Sequence, residues 1–268
     1  VAESRQVGPG DWQAELLVRV HQTKVRVDAD LIFQQQRQRV KNSLGVATCT
    51  GQVLLAVLSG FAEYPCLGTR SQTAAEFDWI SFGQLGERIK VVAARVQSHL
   101  APDSRAGICG ANSIDWVVVD WACILVGVTV IPLHPLLGSE VIGAIIEETG
   151  MELGFHDAQF TTHAWVERLR WAVPIDPLVL DMLSCGEALP SLPALRSPES
   201  TVSILYTSGT TGRPKGALVP DRAWCGLFSR AMESQDAGSV FPVDASFALS
   251  SPRTTAFEVL CSGGRVGL

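Results

Sequence analysis

Apolar positions recur along this chain first at helical and then at strand spacing, and the two patterns alternate. Val53, Leu54, Val57, Leu58 and Phe61 fall on one helical face, which Pro65 should stop. Residues 80–82 read as a short strand, and Ser81 with Gln84 three residues on forms a capping-box pair. Leu85, Ile89, Val92, Ala93 and Val96 then predict an amphipathic helix. Residues 105–110 (RAGICG) predict a strand ending in a glycine turn, and Asn112 or Ser113 opens the next helix. Beyond it the pattern predicts a strand over 127–133, a helix over 139–149 and a weak strand over 153–156. A helix over 160–171 follows, then a proline-broken strand over 173–180 and an apolar strand over 201–205. This alternation predicts an α/β fold, a mainly parallel sheet flanked by helices. In such sheets ligands gather beyond the carboxyl ends of the strands.

Two stretches fit this scheme less well. Residues 1–50 read as a poorly defined N-terminal arm, in which 21–27 (HQTKVRV) alternates like an edge strand. Residues 34–43 (QQQRQRVKNS) read as a solvated helix or a disordered arm. Three prolines in 189–200 mark a surface connector. The organised domain therefore covers 51–268.

Composition narrows the class. At 268 residues and 47% hydrophobic, the chain can bury a large core, which excludes intrinsic disorder. The net charge of −6, with no basic block, excludes a nucleic-acid binder, because phosphate neutralisation needs clustered cations. The mean hydropathy of +0.22 calls for a search for membrane spans. Residues 121–139 (WACILVGVTVIPLHPLLGS) carry no formal charge, but Gly127, Pro132 and Pro135 interrupt them. A helix ending near Gly127 and then a buried parallel strand explains them better than a transmembrane segment. Cysteines 49, 66, 109, 123, 185, 225 and 261 are scattered, odd in number and without CxxC spacing, and read as buried thiols of a reducing compartment rather than disulfides or metal ligands. With no basic-then-apolar leader, the expected location is cytoplasmic or peripheral to an intracellular membrane, not secreted. Asp115 and Asp120 read as a solvated helix face, His134 as a turn residue, and Glu147 and Glu148 as a solvated pair in a last helical turn.

The chemistry concentrates in one loop. The strand over 201–205 runs into 206–216 (YTSGTTGRPKG). Four hydroxyls, three glycines and one lysine lie between Thr207 and Gly216. Glycines let the backbone fold tightly and bring N–H groups to an anion, hydroxyls add donors, and Lys215 adds a compact positive charge. The stretch is suited to a polyphosphate whose charge grows during reaction. It is not a Walker A loop, since Pro214 precedes Lys215 and Gly216 follows it, and the GxGxxG fingerprint is absent.

The string YTSGTTGRPKG resembles the signature of the adenylate-forming (AMP-binding) superfamily. Residues 60–68 (GFAEYPCLG), 80–96 and 107–135 resemble the opening of the adenylation domain in long-chain acyl-CoA synthetases and carboxylic acid reductases. The resemblance implies that 51–268 is an incomplete AMP-binding domain of a carboxylate-activating ligase. Such enzymes join ATP and a fatty-acid-like carboxylic acid into an acyl-adenylate, with Mg2+ assisting, then pass the acyl group to a thiol such as coenzyme A. It assigns phosphate contacts to Thr207, Ser208, Gly209, Thr210, Thr211, Gly212 and Gly216. It makes Lys215 a mobile, catalytic partner of the triphosphate. Two departures follow from the same comparison. Residues 247–264 (FALSSPRTTAFEVLCSGG) lack the family's histidine, and the adenine, ribose and C-terminal lysine motifs have no counterpart. The expectation is therefore a fragment inactive by itself, prone to self-association through an exposed sheet edge. Alternatives are the adenylation portion of a carboxylic acid reductase, a truncated non-catalytic nucleotide-binding relative, and an unrelated P-loop NTPase.

Overall fold

A computed structural model describes residues 11–71, 76–175, 196–207, 214–233 and 240–268. Two sheets organise the described residues. The larger has six strands: β3 (Arg105–Cys109), β4 (Thr129–Leu133), β5 (Leu153–His156), β6 (Trp171–Pro174), β7 (Thr201–Thr207) and β8 (Lys215–Pro220), in the order β6-β5-β3-β4-β7-β8. All neighbours are parallel except β7 and β8, which form an antiparallel hairpin. The smaller sheet contains β1 (Pro65–Arg70), β2 (Phe77–Ser81), β9 (Val240–Pro242) and β10 (Arg265–Gly267), in the order β2-β1-β10-β9. In it β1 runs parallel to β10, so the two ends of the domain share one sheet.

Helices cover the larger sheet on both faces, as the alternation predicts. On one side lie α2 (Thr50–Gly60), α3 (Phe82–His99), α4 (Ile114–Leu125), α6 (Asp221–Ala231) and α7 (Ser250–Cys261), and on the other α5 (Ser139–Thr149). Successive strand residues face opposite sides. Val130 accordingly joins the first core, and Ile131 and Leu133 join Ile142, Ile145 and Ile146 of α5 in the second. The cap of α3 is the one read from sequence: Gln84 N donates to Ser81 Oγ at 3.2 Å, and Ser81 N donates to Gln84 Oε1 at 2.8 Å. The uncharged run 121–139 divides into the end of α4, a left-handed turn at Gly127 (φ 80°) and the buried strand β4. Among the described residues no helix is long and apolar enough to cross a membrane. Of the cysteines, 49, 66, 109, 123 and 261 are buried free thiols and Cys225 is half-buried and not disulfide-bonded; Cys185 lies outside the described residues.

Two expectations are corrected. Residues 21–27 belong not to an edge strand but to α1 (Asp11–Leu44), a 34-residue helix. No glycine or proline interrupts that stretch, and its Gln, Arg, Lys and Leu favour helix, so the Val25/Val27 alternation is overridden. Its last part is not wholly solvated. Val40 and Leu44 are buried, and Arg37 Nε donates to Ser262 O at 3.0 Å. Residues 160–171 do not form one helix. Single 3-10 turns occupy Ala158–Phe160 and Val166–Arg168, and Trp171 opens β6. Phe160 and Trp165 both enter the second core. Five residues apart, they would diverge by roughly 140° on an α-helix, so the chain breaks between them.

Candidate functional site

The parallel strands deliver their carboxyl ends to one side of the sheet, and β7 ends there at Thr207. Across the hairpin Thr207 pairs with Lys215 and Tyr206 with Gly216. Of the expected phosphate contacts, the fold thus places Thr207, Lys215 and Gly216 at the base of one loop, with Thr207 and Lys215 exposed. Ser208, Gly209, Thr210, Thr211 and Gly212 lie outside the described residues.

Local packing explains two residues at that base. A Cβ on Gly216 would stand 2.9 Å from Ile204 Cγ2 and 3.1 Å from Tyr206 Cζ, so its missing side chain admits the Tyr206 ring. The Tyr206 hydroxyl donates to Glu148 Oε2 at 3.1 Å. Burial first, then that hydrogen bond and the Glu148 charge, push the phenol up to about 12. Arg105 donates to the Thr149 carbonyl at the same corner. Glu148 is therefore not merely half of a solvated pair, whereas Glu147 is exposed and pairs with Arg168. His134 does sit in a turn, accepting from Leu136 N at 3.2 Å.

Beneath the hairpin the structure overturns the reading of Asp115 and Asp120. Both are buried, with Asp115 3.5 Å from Arg88. Asp120 and Arg253 are each 0% exposed and form a two-pronged ion pair, Nε to Oδ2 at 2.9 Å and Nη2 to Oδ1 at 2.6 Å. Burial raises the Asp120 carboxyl, while the Arg253 charge and its N–H donors pull it back. Helix α4 has no solvated face because α2 and α3 pack against it on one side and the sheet on the other. The warning lay in the sequence: a charge inside an otherwise apolar run (WVVVDWACIL) must find a partner once buried. Nothing local named Arg253, which lies 133 residues away. Asn112 was missed similarly. Its amide donates to Ala245 O and accepts from Phe247 N, both at 2.8 Å, joining the turn after β3 to the segment before α7.

Among the described residues no group of three or more His, Cys, Asp or Glu could hold an ion, so these residues do not fit a protein-held Mg2+. A cavity of about 330 Å³ between α3 and strands β5 and β6, lined by His99, Phe155 and Trp171, opens at the other edge of the sheet and is not part of this site.

The AMP-binding enzyme family matches residues 61–268. The chain is 27% identical over 241 residues to long-chain-fatty-acid–CoA ligase 1 of Homo sapiens, covering 76% of this chain and 34% of the ligase. It is 26% identical over 251 residues to a carboxylic acid reductase of Segniliparus rugosus, covering 71% of this chain and 21% of the reductase. It thus spans about a third or less of these relatives. Among solved structures, the A-PCP didomain of carboxylic acid reductase from Segniliparus rugosus, in complex with AMP, superposes with a TM-score of 0.71 at 19% identity, over 86% of this chain and 40% of that one. The O-succinylbenzoate coenzyme A synthetase of Bacillus subtilis, in complex with AMP, gives 0.67 at 20% identity, over 81% and 55%. With the family match running over most of its length and the fold shared with adenylation domains, the chain belongs to the AMP-binding enzymes.

Proposed function

We propose that this chain supplies the triphosphate-gripping part of an ATP-dependent ligase that activates a fatty-acid-like carboxylate. The observation that carries the reading is the β7–β8 hairpin, which presents a glycine- and hydroxyl-rich loop at the carboxyl ends of a parallel sheet and sets Thr207 opposite Lys215. In the proposed reaction a carboxylate oxygen of the acid attacks the α-phosphorus of ATP and the bond to pyrophosphate breaks, leaving an acyl-adenylate. A thiol such as coenzyme A then displaces AMP from the acyl carbon. The protein needs no nucleophile of its own. Loop amides, the hydroxyls of Thr207, Ser208, Thr210 and Thr211, and Lys215 hold the β and γ phosphates and offset the charge gathering on the leaving pyrophosphate. Gly209, Gly212 and Gly216 let the backbone come close. Mg2+ would enter with the nucleotide. The carboxylic acid reductase match supports a second reading, in which the same half-reaction feeds a reductase.

Calorimetric titration of the 268-residue chain tests the reading. ATP and pyrophosphate should compete for one site and AMP should bind much more weakly, since the proposed contacts are to the β and γ phosphates. Lys215→Ala should weaken ATP by about ten- to a hundredfold, the worth of a charged hydrogen bond of roughly 1.5–3 kcal/mol. Counterparts of the adenine and ribose motifs are absent from these residues, so fatty-acid-dependent pyrophosphate release should match the Lys215→Ala control. AMP binding as tightly as ATP, or ATP binding indifferent to Lys215, would refute the phosphate-grip assignment.

A further inference from the structure

We propose that Arg253 is a positioning residue for the phosphate loop, holding the strand that delivers the loop to the helical layer through a buried Asp120–Arg253–Ser203 chain. The inference rests on the function proposed above for that loop. Asp120 satisfies two of the guanidinium nitrogens, and the third, Nη1, donates to Ser203 Oγ on β7 at 2.9 Å. Ser203 Oγ in turn donates to Val130 O on β4 at 2.9 Å. This is the place where β7 joins the parallel sheet, since Val130 and Ser203 are the register partners of β4 and β7. Past Ser203 the strand pairs with β8, residue by residue, to Thr207. The loop base therefore projects from the Ser203 junction by four residues, roughly 13 Å of strand.

The aromatic surroundings extend the link to the second hairpin strand. The guanidinium carbon lies 4.7 Å from the Trp224 ring centroid, 5.8 Å from Trp116 and 5.5 Å from Phe257. Trp224 belongs to α6, which follows β8 directly. One buried cation on α7 thus contacts α4, α6 and β7, and both arms of the hairpin are referred to it. An arginine that served only to neutralise Asp120 would need no third nitrogen on β7. A lysine could pair with Asp120 as a point charge but has no planar fork to reach Ser203 as well.

Hydrogen exchange read by mass spectrometry tests this without any ligand. Ser203→Ala cuts the link to β7 and keeps the ion pair, and Arg253→Lys keeps the charge and loses the fork. In both, exchange of amides in 204–207 and 215–218 should rise about tenfold, with α4 and α7 changing less than twofold and cooperative melting retained. ATP affinity should fall by a similar factor, and an ATP-independent hairpin response would still decide this inference if the wild-type chain bound no ATP. Unchanged hairpin exchange overturns it. So does an equal rise in α4 and α7, or unfolding of both variants, because the Asp120 pairing survives in each.

Discussion

Replacing Arg253 by Met should destabilise the protein far more than replacing Arg253 and Asp120 together. In the wild type Asp120 is 0% exposed, and the single variant takes away both of its donors, at 2.6 and 2.9 Å. Breaking one side of a buried pair costs about 3–5 kcal/mol, because a desolvated charge is left uncompensated. With a urea slope near 2 kcal/mol/M, the unfolding midpoint should drop by roughly 2 M. The double variant Asp120→Leu/Arg253→Met removes both charges and fills similar space. Ser203 still donates to Val130 O. It should therefore fall within about 1 kcal/mol of wild type, as apolar replacement of a buried pair is often neutral or better. Equilibrium unfolding followed by tryptophan fluorescence reads the difference, since Trp116 and Trp224 lie beside the guanidinium. The reasoning fails if the single variant costs less than about 1 kcal/mol, or if the double variant costs as much as the two singles added, the mark of independent sites.

Four further outcomes follow from local geometry. Ser81→Ala removes the reciprocal cap of α3 and should cost about 1 kcal/mol in urea unfolding, with Ser81→Gly costing less. The raised Tyr206 phenol keeps its proton longer in the folded state, so its contribution to stability is whole below its ordinary value of 10 and is lost as pH rises through about 12. Glu148→Gln should move the Tyr206 transition downward in a tyrosinate absorbance titration, burial maintaining part of the shift, and an unmoved transition would contradict the assigned partner. Burial pushes the Cys66 and Cys109 thiols up to about 12 and raises Cys123 and Cys261 as well. Peptide mapping after alkylation at neutral pH should find these four unmodified until urea unfolds the chain. The outer strand β8 carries Leu218 at 67% exposure; we expect concentration-dependent association in sedimentation, reduced by Leu218→Lys, and a sharp monomer at all concentrations would count against it.

Much of the helical layer was legible because its signals are local. The bounds of α5 coincide with the residues read from periodicity, and Ser81, Gln84 and the apolar face of α3 lie within one short window. Signals that act across the chain were not legible. Nothing near residues 65–70 announces that β1 will pair with β10, and nothing near Asp120 announces Arg253. The 160–171 stretch has helical composition, yet the need to bury both Phe160 and Trp165 decides its shape. Within the site, the reading of the loop rests on residue types alone, Ser208 to Gly212 lying outside the described residues, whereas the supports under it come from the fold. Glu148 on Tyr206 and Arg253 on Ser203 depend on which helices flank β7, a property of topology rather than of the motif.

Those supports act on the two strand ends, Thr207 and Lys215, from which the glycine- and hydroxyl-rich segment leaves. Glycines and hydroxyls offer donors but little packing, so any order the strands lend must come from beneath. Side chains alternate along β7, with Ser203 facing α4 and α7 and with Ile204 and Tyr206 facing α5. Each face therefore has one polar anchor and its own aromatic or apolar packing. Gly216 completes the arrangement from β8, since a Cβ there would press on Ile204 Cγ2 at 2.9 Å and on the Tyr206 ring at 3.1 Å. On the proposed function, a hairpin base supported in this way suits a charged leaving group, because preorganised donors stabilise developing charge most strongly. On the proposed function, substitutions at Ser203 and Tyr206, neither of which is a proposed phosphate contact, should act on nucleotide affinity through the hairpin, while Thr207, Lys215 and Gly216 should act on it directly.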